Sequence, residues 1–251
     1  MVEWLQYIGE PSELVLAWQA GDRTGVRFRW AVATVRREGK DYLLSYLDAD
    51  TEFPIANEGR KYGEILDLGY RGYPGFRPRA GKHRDGVLAS LMRRLPPRTR
   101  SGFDAYLRHF RVAPREHLSD FALLGLTEAK LPNDGFSVVD PLHGYNPPID
   151  LLCDVAGYRY YAGGLREPKI GGPVSIIPEP DNEYDQNAVK FVIDGTKVGN
   201  VNRLQTASFM RWISTSAVDA SVDRINGTVD RPRLYIMTKV RDRSPSGPTG
   251  G

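Results

Sequence analysis

The chain has 251 residues, of which 41% are hydrophobic and 26% charged, and its net charge is +3. These values are typical of a globular protein of one or two domains, and they exclude wholesale disorder and a collagen-like repeat. The single cysteine, Cys153, excludes an intramolecular disulfide and a cysteine-rich zinc site, and no apolar run reaches the roughly 18 residues of a membrane span. Because the N-terminus lacks the basic and apolar regions of a signal peptide, we expect a cytoplasmic location.

The first part of the chain, residues 1–145, contains strand-like and then helix-like patterns. Runs of β-branched and aromatic residues between polar or glycine-containing turns predict strands, and apolar residues that fall on one helical face predict helices. The predicted strands are 13–18, 27–35 and 42–46, and the predicted helices are 85–94, 102–110 and 118–126. These patterns indicate a mixed α+β domain.

The segment from Arg71 to Arg115 is strongly basic. It contains twelve Lys or Arg residues and two acids, a net charge of +10 against +3 for the whole chain, so the remainder carries −7. Arginine suits bidentate contacts with phosphate, and Tyr70, Tyr73 and Phe76 would stack on bases. The alternative is a solvated helical face whose arginines pair with acids elsewhere. The candidate phosphate contacts are Arg77, Arg79, Lys82, Arg84, Arg93, Arg94, Arg98 and Arg100.

A Pro147-Pro148 pair separates the two parts, because it interrupts both helices and strand pairing. The second part, residues 149–242, contains strand patterns and one helical pattern, which together predict a small β-barrel with one helix. Residues 243–251 have nothing to bury and are predicted to form a disordered tail. The predicted strands are 151–161, 174–177, 188–193, 197–201, 218–229 and 234–240, and the predicted helix is 203–213.

The sequence contains none of the common catalytic or nucleotide-binding motifs. It has no phosphate-binding loop, dinucleotide-binding glycine motif, zinc-protease motif, nucleophile elbow or EF-hand spacing. Its four histidines are dispersed over the first part, which favours ordinary surface positions over a metal site. We therefore expect a protein without catalytic residues, cofactor or metal.

Three motifs occur in the second part in a fixed order. They are Val155-Ala-Gly-Tyr-Arg-Tyr-Tyr-Ala-Gly163, then Glu179-Pro-Asp-Asn-Glu-Tyr-Asp-Gln-Asn-Ala-Val189, then Lys197-Val-Gly-Asn-Val-Asn-Arg203. Together they resemble the HIRAN domain family, over residues 152–240. The resemblance implies a modified OB-type barrel that binds nucleic acid. In fork-remodelling translocases this domain captures the 3′-hydroxyl end of single-stranded DNA.

The resemblance also implies which residues bind nucleic acid. They are Arg159, Tyr160, Asn182, Tyr184, Asp185, Asn200 and Arg203. Asn200 stands where the family usually has histidine, which weakens the phosphate contact expected there. These residue types fit the role, because tyrosine stacks on any base and arginine contacts phosphate. A carboxylate such as Asp185 would accept a hydrogen bond from a terminal hydroxyl and repel a 3′-phosphate.

The first part is harder to assign. Residues 10–142 resemble, in pattern more than in motif, the N-terminal subdomain of HipA-type toxin kinases. The catalytic kinase body of those proteins does not follow, since the chain continues directly into the HIRAN-like part. A free-standing subdomain of this kind implies a regulatory role rather than phosphoryl transfer.

Three functions follow from these patterns. The first is a non-enzymatic protein that binds single-stranded DNA or DNA 3′ ends in DNA repair, replication or phage defence. The second is a protein-interaction module of a toxin–antitoxin type system. The third is a metal-dependent nuclease that uses Asp154, Asp181 and Asp185. The acids and amides of the central motif are also turn formers, and a purely structural role is the alternative for them.

Overall fold

The computed structural model describes residues 3–78, 81–114, 117–131, 133–164, 167–183 and 185–243. It divides into two compact units. One comprises residues 10–143, and the other combines residues 1–9 with residues 144–251. The sequence was divided near residue 145, with the first nine residues assigned to the first part, whereas the structure groups them with the second.

The unit of residues 10–143 is built on a five-stranded antiparallel sheet in the order β4-β3-β2-β1-β5. The middle of β1 and the first part of β2 are apolar and buried, whereas the last three residues of β2 are charged and exposed. The strands are β1 (Glu13–Gln19), β2 (Arg29–Glu38), β3 (Asp41–Tyr46), β4 (Lys82–His83) and β5 (Phe136–Val139).

Five short helices accompany this sheet. They are α1 (Glu52–Ala56), α2 (Tyr62–Asp67), α3 (Val87–Met92), α4 (Phe103–His109) and α5 (Asp120–Thr127). The three helices predicted from apolar spacing are present with shorter bounds, and Ser119 accepts a hydrogen bond from the Ala122 amide as the cap of α5. Neither α1 nor α2 is predicted, because each is short and has a single buried residue, Phe53 and Ile65 respectively, so no apolar face is visible in the sequence.

The second unit contains two three-stranded antiparallel sheets, in the orders β10-β11-β6 and β7-β8-β9. Its elements are β6 (Ile149–Asp154), α6 (Tyr158–Tyr161), β7 (Ser175–Pro178), β8 (Val189–Ile193), β9 (Thr196–Asn200), α7 (Thr206–Thr215), β10 (Ser216–Thr228) and β11 (Arg231–Asp242). Within the described residues, the links between the two sheets are the isolated bridges Ala156–Asn200 and Pro173–Ser221 and hydrogen bonds beside them. The sheets do not close into the barrel that the strand pattern predicts.

Residues 3–9 join the second unit through β6. The Asp150 amide donates to the Tyr7 carbonyl at 2.8 Å, and the Gln6 amide donates to the Asp150 carboxylate at 2.8 Å. Arg241 also donates to that carboxylate, at 2.5 Å, so Asp150 is a buried charge with several partners. The described helices include none that is long and apolar enough to span a membrane. Residues 244–251 of the predicted tail lie outside the described residues.

Candidate nucleic-acid interface

Arg159 and Tyr160 lie on a short helix, whereas the sequence predicts them within a strand over residues 151–161. The strand β6 ends at Asp154, and Gly157 precedes α6 with a φ of 80°. Only glycine adopts this left-handed conformation at little cost, so the extended chain turns there. The bridge between Ala156 and Asn200 fixes the backbone just before the turn.

The helical geometry decides which tyrosine of the motif faces solvent. Tyr158 is 5% exposed and Tyr160 is 48% exposed. The sequence assigns Val155 and Tyr158 to the core, and both are buried. The Tyr160 ring is therefore the more exposed of these two aromatic surfaces.

Arg159 and Tyr160 form one composite surface. The Arg159 Nε donates to the Tyr160 hydroxyl at 2.5 Å, and the guanidinium carbon lies 4.9 Å from the centre of the tyrosine ring. This arrangement is a cation–π contact. It places a cationic guanidinium directly beside an aromatic ring, and these are the two kinds of group on which single-strand binding proteins rely.

Glu179 is the centre of a second cluster, which the sequence did not identify. Lys197 Nζ lies 2.8 Å from its Oε1, while Asn182 Nδ2 and Asn200 Nδ2 donate to its Oε2 at 2.8 and 3.0 Å. Burial alone would raise the pKa of Glu179, but the hydrogen bonds from Lys197, Asn200 and Asn182 outweigh it and lower the pKa to about 2. Lys197 also lies 5.5 Å from the centre of the Tyr161 ring, so the cluster reaches α6.

The loop between β7 and β8 is held by its own polar residues. Asn182 Oδ1 accepts from the Asp185 amide at 3.1 Å, and Asp185 Oδ1 accepts from the Asn187 amide at 2.8 Å. The Ala188 amide donates to the Asp185 carbonyl at 3.0 Å. These hydrogen bonds show that Asn182 and Asp185 stabilise the turn, as the structural alternative in the sequence analysis predicts. They also place the partly exposed Asp185 carboxylate at a defined position in the loop. Tyr184 lies outside the described residues.

Asn200 has a structural role that the sequence did not foresee. Its Nδ2 donates to Glu179 at 3.0 Å and to the Val189 carbonyl at 3.3 Å. With both amide hydrogens engaged, it has none left for a phosphate. Arg203 begins the 3-10 turn before α7 and is partly exposed, and the Thr206 hydroxyl donates to its carbonyl at 2.9 Å.

The carboxylates considered for a nuclease do not form a metal site in the described structure. Asp154 is ion-paired with Arg233. Among the described residues, no group of three or more His, Cys, Asp or Glu side chains has the geometry to hold a metal ion.

The structure corrects the interpretation of several residues in the basic segment. Arg94 is 7% exposed, pairs with Asp134 at 2.5 Å and donates to the carbonyls of Ala129 and Phe136, so it cannot contact a phosphate. Tyr70, Tyr73 and Phe76 are buried in an aromatic core and do not offer stacking surfaces. Their burial follows from their large apolar surface, which is favoured in a protein core.

Two further candidates in this segment are exposed but paired. Arg84 pairs with Glu38 at 2.6 Å and Arg98 with Asp120 at 2.8 Å. Arg77, Lys82, Arg93 and Arg100 are exposed, and Arg79 lies outside the described residues. The segment therefore combines structural arginines with solvent-facing ones.

Comparison with known proteins finds one family model that matches part of the second unit. No curated protein matches the chain. A crystal structure of the HIRAN domain of human HLTF aligns with 38% of this chain and 77% of its own chain, at 21% identity and a TM-score of 0.29, too low a score to carry an argument. The comparisons do not show the resemblance of residues 10–142 to HipA-type kinases, which stays a prediction. The family model described as the HIRAN domain matches residues 150–241, the part of the chain that contains all three motifs.

Proposed function

We propose that this chain is a nucleic-acid-binding protein that acts without catalysis and binds single-stranded DNA, or the 3′ ends of DNA strands, through residues 150–241. The observation that carries the proposal is the match of these residues to the HIRAN domain family. The processes in which such binding is needed are DNA repair, replication and defence against foreign DNA.

The exposed Arg159–Tyr160 pair supports the proposal. A base stacked on Tyr160 contributes about 1–3 kcal/mol whatever its identity, because every base has a flat aromatic face. The neighbouring guanidinium and that of Arg203 are the phosphate ligands. Binding of this kind recognises a single strand of nucleic acid but does not depend on its base sequence.

Asp185 gives the proposed site its preference for a strand end. Its carboxylate accepts a hydrogen bond from a terminal 3′-hydroxyl, whereas a 3′-phosphate next to it is repelled. The Glu179 cluster has a supporting role here, because Asn182 connects Glu179 to the Asp185 amide. Asn200 is not among the proposed ligand contacts, since its amide hydrogens are already used within the protein.

The test is fluorescence anisotropy with labelled oligonucleotides at two salt concentrations. The probes are a single strand ending in a 3′-hydroxyl, the same strand ending in a 3′-phosphate, an RNA of the same sequence and a blunt duplex. Tightest binding to the DNA strand with the 3′-hydroxyl is expected. Equal binding to all four probes overturns the end preference, and no binding at low salt overturns the function.

A pair of tyrosine variants tests the residues. We expect the double substitution Tyr160→Ala and Tyr184→Ala to abolish single-strand binding. Tyr7 is a matched control in the same unit, because it is 46% exposed and its ring centre also lies 4.9 Å from an arginine guanidinium, that of Arg241. A folded double variant that binds like the Tyr7→Ala control contradicts the proposed site.

The absence of catalysis is tested separately. Incubation of labelled DNA with the protein and Mg²⁺ or Mn²⁺ is expected to leave the strand intact. Cleavage that is lost in Asp185→Ala would replace the binding function with the nuclease function.

A further inference from the structure

Five of the exposed cations of the basic segment differ from the others. They are Arg77, Lys82, Arg93, Arg100 and Arg108. Among the residues that the structure describes, none of their side chains has a hydrogen bond or an ion pair, which distinguishes them from Arg71, Arg84, Arg94 and Arg98. An exposed group of cations without acidic partners has an attractive potential for a polyanion.

Several acids are paired with other arginines of the segment. Three carboxylates from outside the segment, those of Glu38, Asp120 and Asp134, pair with Arg84, Arg98 and Arg94 respectively. Within the segment the two acids are Asp85 and Asp104. Five cations against these two acids leave the surface net positive.

The five cations lie in loops, on the short strand β4, on a helix and at a helix end. Arg77 and Lys82 lie near one another in the chain, and the His83 ring closes their loop through a 2.9 Å hydrogen bond with the Arg77 carbonyl. Arg93 is the C-terminal cap of α3, and Arg100 lies in the turn before α4.

Arg108 lies on α4 on the side away from the core. Phe103 and Leu107 of the same helix are buried, while Arg108 is exposed. A role in stabilising the C-terminal end of this helix through its dipole is the structural alternative for Arg108. It does not account for the other four cations.

We propose that Arg77, Lys82, Arg93, Arg100 and Arg108 form a surface that binds the phosphate backbone of duplex DNA, separately from the HIRAN-like site. The buried state of Tyr70, Tyr73 and Phe76 favours a duplex, because these three rings, the stacking candidates of the sequence analysis, are not exposed to unpaired bases. Without stacking, the five cations bind nucleic acid through their charge alone. Double-stranded DNA presents the denser array of phosphates, about one charge per 1.7 Å of helix axis. Binding of this kind is independent of sequence and steeply dependent on salt.

The test compares two variants of the full chain that lose the same charge. The test variant is Arg93→Gln, Arg100→Gln and Arg108→Gln. The control is Arg23→Gln, Arg36→Gln and Arg37→Gln, which removes three exposed arginines from the same unit but a different part of its sequence. Glutamine keeps a polar side chain of similar size, and unchanged circular dichroism and thermal midpoint establish that each variant is folded.

The measurement is the affinity for a blunt duplex between 50 and 200 mM salt, a range suited to counterion release. We expect the slope of log K against log[salt] to become shallower by about 2.7 in the test variant, since each phosphate contact contributes about 0.9. The control is expected to keep the parental slope. Equal slopes in the test and control variants overturn the proposal.

The same samples separate this surface from the HIRAN-like site. The ratio of affinities for the 3′-hydroxyl and 3′-phosphate strands reports on residues 150–241, and the duplex slope reports on the five cations. We expect the arginine variant to keep the ratio and the Tyr160→Ala, Tyr184→Ala variant to keep the slope. A duplex slope that falls only in the tyrosine variant assigns duplex binding to the HIRAN-like unit and overturns the proposed surface.

Discussion

Lys197 and Glu179 form an ion pair in which Nζ lies 2.6 Å from Oε2 and 2.8 Å from Oε1. The pair connects β9 to the residue that follows β7, two strands that are not neighbours in the sheet, since β8 lies between them. The two asparagines bound to the same carboxylate extend this link to the loop that carries Asp185. The position of a proposed ligand-binding carboxylate thus depends on a second carboxylate that contacts no ligand.

Substitution of Glu179 by glutamine is expected to destabilise the protein. The change removes the ion pair and one acceptor, and hydrogen bonds to charged groups contribute about 1.5–3 kcal/mol. We expect a loss of roughly that size in the free energy of unfolding measured with urea. Glu183→Gln, in the exposed part of the same loop, is the matched control and is expected to change stability by less than about 0.5 kcal/mol. A loss as large in the control would contradict the special role of Glu179.

The low pKa of Glu179 predicts an acid-dependent stability. The pKa in the folded protein is about 2 and the ordinary value is 4.5. Because the folded value is the lower one, the stabilisation is complete above pH 4.5 and is lost as the pH falls from there towards 2. Unfolding free energies measured from pH 6 to pH 2.5 should fall more steeply in the parent than in Glu179→Gln. Parallel curves for the two proteins would show that other groups cause the acid sensitivity.

Arg93 and Arg94 are adjacent in sequence, but we expect the same substitution to lower the stability of the protein strongly at Arg94 and hardly at all at Arg93. Arg94→Gln leaves Asp134 and two buried carbonyls without their partner, and breaking a pair of this kind costs about 3–5 kcal/mol. Arg93→Gln alters an exposed side chain and should change stability by less than about 0.5 kcal/mol. Urea unfolding monitored by tryptophan fluorescence measures both. Similar losses for the two variants would be inconsistent with the burial of Arg94.

Gly199 is expected to tolerate no side chain. Its φ is +143°, and an added Cβ would lie 2.5 Å from the Ala156 carbonyl oxygen and 2.5 Å from a methyl carbon of Val155. Gly199→Ala should therefore push β9 away from the segment that leads into α6, at a cost of roughly 1–3 kcal/mol. Gly163→Ala is the control, because nothing lies within 4 Å of its added Cβ. Thermal midpoints of the two variants provide the measurement, and a stable Gly199→Ala protein would contradict the close approach.

The two tyrosines of α6 should separate stability from binding. Tyr158→Ala removes a buried ring and is expected to lower the free energy of unfolding by about 3–5 kcal/mol. Tyr160→Ala should leave stability almost unchanged and weaken single-strand binding about 5- to 150-fold, the equivalent of one lost base stack. The two measurements are urea unfolding and fluorescence anisotropy. If Tyr160→Ala lowers the free energy of unfolding as much as Tyr158→Ala does, the Tyr160 ring is not exposed as described.

The strands could be predicted from the sequence because their signal is local. Alternating or continuous apolar residues between turn formers identify β1, β2 and β3 and most strands of the second unit, although their ends shift by a few residues. The HIRAN motifs were also readable, since they are short and regularly spaced, and the family match over residues 150–241 confirms that part of the interpretation.

The remaining features depend on contacts between distant residues. The helix at Tyr158 looks like a strand because its sequence is rich in tyrosine, and only the left-handed Gly157 reveals the turn. Arg94 has the same local pattern as Arg93, and its burial depends on Asp134, forty residues away. The role of Glu179 was missed although the residue opens the central motif, because its partners are separated from it by up to 21 residues.

The path of residues 3–9 makes the unit of residues 10–143 an insertion into the other one. Gly9 and Tyr145 are so close that a Cβ on the glycine would lie 2.6 Å from the tyrosine ring. The chain thus leaves the HIRAN-like unit and returns to it at nearly one point. Replacing residues 10–143 by a short glycine linker keeps residues 3–9 in the same chain as β6. A fragment that starts at residue 144 lacks the contacts of residues 6 and 7 with Asp150. The host unit is therefore formed by two separate stretches of the chain, one on each side of the inserted unit.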